Sequence, residues 1–112
     1  MKTFDDLGTG EKSALVSELS NDADMIELVE FFIAELPKRV GAMSEALAAR
    51  DWATLARVAH QLKGAAGGYG FPAITDAAGA LEESIKASES IDRLAGHLRQ
   101  VADLCERARA RN

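Results

Sequence analysis

A histidine, a lysine and a run of glycines form the part of this sequence whose residue types could do chemistry. His60 and Lys63 stand three positions apart, and four of the seven residues 64–70 are glycines. A neutral imidazole is a competent nucleophile near pH 7, and residues three apart on a helix lie side by side. The pattern predicts a reversible phosphoryl acceptor at His60, with Lys63 partly neutralising the added negative charge.

Small residues around His60 would leave room for a large reaction partner. Gly64 and Gly67 carry no side chain that could obstruct an in-line approach, and Ala56 lies one turn before the histidine. The alternative is that the glycines serve close helix packing or an early turn. The sequence has no nucleotide-binding loop and no magnesium-binding carboxylates at this motif, so a partner would have to catalyse the transfer.

Helical spacing places His60 away from the hydrophobic stripe of its own helix, which is predicted over residues 52–69. At about 100° per residue, the apolar residues cluster in one direction, and His60, Lys63 and Gly64 cluster roughly 130° away. We therefore expect an exposed imidazole on a packed helix. The stripe, in which the two large aromatic residues are expected to anchor the core, consists of Trp52, Leu55, Ala59, Leu62, Ala66 and Tyr69.

Four long amphipathic segments with short connections predict an all-α fold, an antiparallel four-helix bundle. The first segment has one apolar face that continues in phase past Pro37, where a kink or local break is expected. A short helix over residues 12–20 is expected to cap one end, and a three-helix bundle with a loose tail is the alternative. The expected boundary residues are Asn21 or Asp22, Asp51, Gly70, Pro72, and Ser88 or Ser90.

Length, charge and cysteine content limit the classes of protein. The 112 residues make one domain, with residues 1–20 as an N-terminal segment and cap and residues 21–110 as the bundle. The net charge is −5, and residues 1–35 hold nine acids against two bases, which argues against nucleic-acid binding. The single cysteine, Cys105, excludes an internal disulfide and is expected in the core, whereas the basic residues of 107–111 are expected on a solvated helix end.

The sequence shows neither a signal peptide nor an apolar run long enough to span a membrane, so we expect a cytoplasmic protein. The initiating Met1 and the clean C-terminal helical pattern favour a free-standing protein. His97 borders an apolar stripe without a lysine three residues later, so it is expected to be a partly buried structural histidine.

The motif Ala59-His60-Gln61-Leu62-Lys63-Gly64, followed by Ala65-Ala66-Gly67 and by Gly70, resembles the signature of histidine-containing phosphotransfer (HPt) domains. Leu81-Glu82 is similar to a leucine-glutamate pair downstream in that family, and the resemblance extends over roughly residues 20–108. It implies a four-helix bundle whose exposed histidine takes a phosphoryl group from the aspartate of one receiver domain and passes it to another.

The resemblance also implies roles for individual residues. His60 would be the phosphorylated residue, Lys63 would assist electrostatically, Gln61 could flank the phosphate, and Gly64 and Gly67 would give clearance. Phe71 could widen an apolar docking surface or pack beneath the end of the helix.

The implied partners are receiver domains of response regulators, a hybrid sensor histidine kinase, or both, with the magnesium ion on the receiver. The chain itself is expected to be a monomeric phosphocarrier, not an enzyme, without a cofactor of its own. The alternative is a noncatalytic helical bundle that binds a receiver or a partner helix without being phosphorylated.

Overall fold

The computed structural model of the protein describes residues 13–112, which form an all-α bundle with 73% of these described residues in helices. The four helices are α1 (Ile26–Ala48), α2 (Trp52–Ala66), α3 (Pro72–Lys86) and α4 (Ile91–Arg107). A 3₁₀ turn (Gly67–Tyr69) follows α2, and the two-residue strands β1 (Leu15–Val16) and β2 (Ala108–Arg109) pair in parallel. The predicted fold class is confirmed.

Each helix of the bundle packs against two others. α1 and α3 both contact α2 and α4, and the apolar faces of all four meet in one core. The helices are joined by residues 49–51, 67–71 and 87–90. Connections this short favour antiparallel neighbours, and the antiparallel direction stays a prediction.

The first long helix begins later than predicted. Met25 is the N-cap residue of α1 and makes no side-chain cap. The Asp22 carboxylate, one of the two expected caps, instead accepts a hydrogen bond of 3.1 Å from the Asp24 amide, which makes a local turn. Pro37 lies inside the helix, which continues as one element to Ala48.

The short helix expected over residues 12–20 is wrong for residues 13–20, and Lys12 lies outside the described residues. Leu15 pairs with Ala108 in the register of β1 and β2, and further on the Ser17 hydroxyl donates to the Tyr69 carbonyl at 2.7 Å. The Glu18 amide donates to the Gly70 carbonyl at 2.9 Å. In a helix these backbone groups would form hydrogen bonds within the segment, whereas here they form them with distant segments of the chain.

The other helix boundaries follow local chemistry. The Asp51 carboxylate caps α2 by accepting from the Thr54 amide at 3.1 Å, and the Ser90 hydroxyl caps α4 in the same way. Gly70 ends the 3₁₀ turn with a φ of 88°, which favours glycine. Pro72 opens α3. These four predictions are confirmed. The last helix, however, ends at Arg107, because the next two residues form β2 instead of a solvated helix end.

The predicted core is confirmed except at one end of the bundle. Cys105 is buried, and burial raises the pKa of its thiol to about 11. The Tyr69 ring stacks on the Phe32 ring with centroids 4.5 Å apart. Trp52 is not a core anchor, because it stands at the first position of α2 and remains 40% exposed.

Over residues 13–112, each helix is too short or too polar to cross a membrane.

Candidate functional site

His60 projects from the middle of α2, and its side chain is 66% exposed, as the helical spacing predicts. The ring contacts a side chain of another helix. Its Nδ1 atom lies 2.9 Å from Oε2 of Glu82, a residue of α3 that is 22 positions further along the chain. The side chain of Glu82 is only 6% exposed. A surface imidazole is therefore fixed to a carboxylate buried between α2 and α3.

Within residues 13–112, nitrogen atoms of three side chains approach the Glu82 carboxylate. The Lys63 ammonium lies 2.8 Å from Oε1 in an ion pair, and the Lys86 ammonium lies 3.6 Å from Oε2. His60 is the third. Contact with Lys63 holds the pKa of Glu82 below its ordinary value, burial works in the opposite direction, and His60 and Lys86 add to the lowering. Glu82 is therefore an anion at neutral pH.

The charge of Glu82 determines which nitrogen of His60 carries the proton. An ionised carboxylate can only accept a hydrogen bond, so Nδ1 must be the donor. In the neutral ring the lone pair is then on Nε2, the other ring nitrogen. The arrangement orients an exposed nucleophile by a buried partner, in the way that a carboxylate orients the base of a catalytic triad.

Lys63 is held against α3 along its whole length. Its backbone carbonyl accepts a hydrogen bond of 2.9 Å from the Thr75 hydroxyl. Gly79 makes room for its aliphatic stem, because a Cβ at that position would lie 3.2 Å from the Lys63 Cδ. Lys63 thus reaches Glu82 from a defined direction beside the imidazole.

The glycines after His60 differ in their surroundings. A Cβ at Gly64 or Gly68 would meet no atom of another described element within 4 Å, so both positions border open space. A Cβ at Gly67 would lie 3.3 Å from the Thr75 hydroxyl, so this glycine allows close packing of the 3₁₀ turn against α3. Space beside the histidine is consequently provided by Gly64 more than by Gly67.

The remaining predicted site residues divide between surface and interior. Gln61 is exposed next to His60, and Ala56 is half-buried one turn before it. Phe71 is completely buried, and its ring stacks on Phe32 with centroids 6.2 Å apart. The prediction that Phe71 could widen a docking surface is wrong. The alternative is confirmed, because the turn at Gly70 places Phe71 beneath the end of the helix.

The positioning role of Glu82 was missed by reasoning from the sequence, although the Leu81-Glu82 pair was noted as a motif. A signal was present: Glu82 follows Ile74 and Ala78 at intervals of four residues, on the side of α3 that is buried. Acidic residues are rarely buried without a partner. An acid on an apolar stripe therefore predicts a cationic partner, and Lys86 stands four residues further on.

Two large apolar side chains that the sequence reading did not single out are exposed on α1. Phe31 is 68% exposed, and Leu28 is exposed as well. On the same helix Ile33 and Pro37 line cavities shared with β2 and α4. Because successive residues are about 100° apart, Leu28 and Phe31 lie on the opposite flank of α1 from Ile33 and Pro37.

Comparison with known proteins identifies one family. The family model described as Hpt domain matches residues 27–111, a span that contains the whole bundle except for the first residue of α1. No curated protein and no solved structure matches the chain significantly. Among the described residues, no three histidine, cysteine, aspartate or glutamate side chains are grouped so that they could hold a metal ion.

Proposed function

Because the chain belongs to the Hpt domain family, we propose that it relays a phosphoryl group between the aspartates of receiver domains, with His60 as acceptor and donor. Hpt domains serve histidine phosphotransfer in two-component signalling. The observation that supports the relay is the contact between His60 Nδ1 and the buried Glu82 carboxylate. It presents Nε2 to an approaching protein with its lone pair free.

The proposed transfer step uses the two ring nitrogens differently. The Nε2 lone pair attacks the phosphorus atom of an aspartyl phosphate, a P–N bond forms, and the P–O bond to the aspartate breaks. The bonding electrons leave with the aspartate carboxylate. Nδ1 keeps its proton, so the ring gains positive charge, which the Glu82 carboxylate at 2.9 Å stabilises. The reverse sequence delivers the group to a second aspartate.

The partner is expected to supply the catalytic groups that this site lacks. In phosphoryl transfer, metal ions and positioned cations neutralise charge on the transferred group. We place the magnesium ion on the receiver domain and treat the chain as a phosphocarrier with no cofactor of its own. Lys63, three residues after His60 on the same helix, contributes a cation that contacts the same carboxylate as the ring.

The surface around His60 suits a protein partner. Gly64 and Gly68 leave open space beside the ring, and Gln61 is exposed at its side. Leu28 and Phe31 are exposed on α1 and provide apolar area whose contact with water is unfavourable. We propose that a receiver domain covers the ring and these two side chains together, with the chain acting as a monomer in the cytoplasm.

Substitution of the two histidines tests the proposal. Receiver domains from the same organism are charged with radiolabelled acetyl phosphate and mixed with the wild type, His60→Gln or His97→Gln. We expect acid-labile label on the wild type and on His97→Gln, whose histidine is half-buried on α4. His60→Gln should take no label and keep its helical circular dichroism.

The labelling experiment also separates the relay from a binding module without chemistry. If receivers bind the wild type but leave no label on it, the noncatalytic bundle is the correct function. If His60→Gln is labelled as strongly as the wild type, the acceptor is a different residue and the proposed mechanism is wrong.

A further inference from the structure

Lys86 has no part in the transfer step described above, yet its ammonium lies 3.6 Å from the same Glu82 oxygen that contacts His60. We propose that Lys86 replaces Lys63 as the partner of Glu82 when His60 is phosphorylated. Lys63 then turns its charge to the phosphoryl group, and Lys86 keeps the buried carboxylate paired. This inference rests on the proposed function and names a positioning residue of the same site.

The unphosphorylated structure shows why a replacement is needed. The Lys63 ammonium is already engaged with Glu82 at 2.8 Å. A phosphoryl group on Nε2 brings a charge of about −1.5 to −2, and Lys63 lies three residues further along the same face of α2. Moving Lys63 outward would remove the closest of the three cationic partners of a nearly buried carboxylate and leave the charged His60 ring and the more distant Lys86. Removing one partner of a buried charge is strongly unfavourable.

The position of Lys86 allows it to take over this role. Glu82 and Lys86 are four residues apart on α3, the spacing and order that bring a glutamate and a lysine together on a helix. The Lys86 side chain is exposed, so it can move without disturbing the core. Its distance of 3.6 Å is long for a formed charge-assisted hydrogen bond and leaves room to close.

The net charge of the site also indicates that Lys86 is needed when His60 is phosphorylated. With Lys86 present, a neutral His60, Glu82 and the two lysines carry a net charge of +1, which the phosphoryl dianion and the positive charge gained by the ring together change to 0. Without Lys86 the corresponding charges are 0 and −1. Lys86 therefore matters more to the phosphorylated state than to the unphosphorylated state, and its loss should shift the phosphoryl group toward the receiver.

The test measures the equilibrium distribution of label between the chain and a charged receiver domain. Lys86→Gln should shift this equilibrium about two- to fivefold toward the receiver, which is the range expected for an ion pair with one exposed partner. Lys86→Arg should restore it. Lys38→Gln, which removes an exposed lysine from α1, is the matched control and should leave the equilibrium unchanged.

A double substitution distinguishes replacement at Glu82 from direct contact with phosphate. In a Glu82→Gln background, Lys86→Gln should have no further effect, because no buried anion needs a partner. A full effect of Lys86→Gln in that background, or no effect in the wild-type background, would overturn the inference. If the Lys86 inference fails in this way but His60→Gln still abolishes labelling, the proposed relay through His60 stands. If the wild type takes no label, the relay and the Lys86 inference are both wrong.

Discussion

Replacing Glu82 by glutamine tests whether the buried carboxylate activates His60. Glutamine has nearly the same size and keeps an oxygen that can accept a hydrogen bond from the Nδ1–H group, so the ring should stay in place. What disappears is the negative charge 2.9 Å from Nδ1. Two unit charges 4 Å apart interact by about 4 kcal/mol at an effective dielectric constant of about 20.

Only part of that energy should appear in the rate. The ring has gained a fraction of a charge at the transition state, and Lys63 already shares the carboxylate. We expect a loss of about 1–2 kcal/mol of transition-state stabilisation, which corresponds to a transfer rate about 5- to 30-fold lower. The decrease should appear in the maximal rate more than in the receiver concentration for half-maximal rate, because Glu82 is buried and cannot contact the partner.

The assay is the initial rate of label transfer from a charged receiver domain, measured over a range of receiver concentrations. Glu83→Gln is the matched control, since it makes the same chemical change one residue later at an exposed position. A folded Glu82→Gln protein that transfers at the wild-type rate would refute the role of the carboxylate. An equal decrease in Glu83→Gln would show that net charge, not position, is responsible.

The same substitution has a consequence for stability against acid. The pKa of Glu82 is lowered in the folded protein by Lys63, so its carboxylate stabilises the fold above its ordinary pKa of 4.5. That contribution is lost as the pH falls through the lowered pKa. The free energy of unfolding in urea should therefore decrease less on acidification in Glu82→Gln than in the wild type, and an identical decrease would contradict the pairing.

Further predictions concern the bundle and its surface. Gly70→Ala should lower the free energy of urea unfolding by about 2–3 kcal/mol, because a Cβ at a φ of 88° would collide with Ser17 and Glu18, whereas Gly68→Ala should change it by less than about 0.5 kcal/mol. Phe31→Ser should raise the receiver concentration for half-maximal transfer about 5- to 30-fold with unchanged stability, and Phe31→Leu should keep most of the affinity. The Cys105 thiol, with a pKa of about 11, should react with a disulfide reagent at pH 8 only after urea unfolding, and fast reaction in the native state would contradict its burial.

Local chemistry was sufficient to predict much of the bundle from the sequence. Asp51, Pro72 and Ser90 each act on atoms within one turn of the chain, and Gly70 ends the turn through its own backbone freedom. The exposure of His60 also follows from spacing along a single helix. Such features depend on neighbours in the sequence, so the sequence contains the information directly.

Packing overrode local preference at several other positions. Residues 13–20 have a helical pattern but form β1 and turns, because their backbone groups bond to β2 and to Gly70. Phe71 is part of the core because the turn at Gly70 places its side chain in the interior of the bundle. Trp52 stayed partly exposed because α2 begins there, at an end of the bundle.

The sequence by itself determined the four helices, the exposed histidine and the lysine beside it, since each follows from the order of residues along one segment. Only the tertiary structure decided that Glu82 would lie beneath the imidazole with Lys63 and Lys86 around it. The reason is geometric: these contacts form across the packing of α2 on α3, and spacing within either helix does not specify which residues of the other helix it will face.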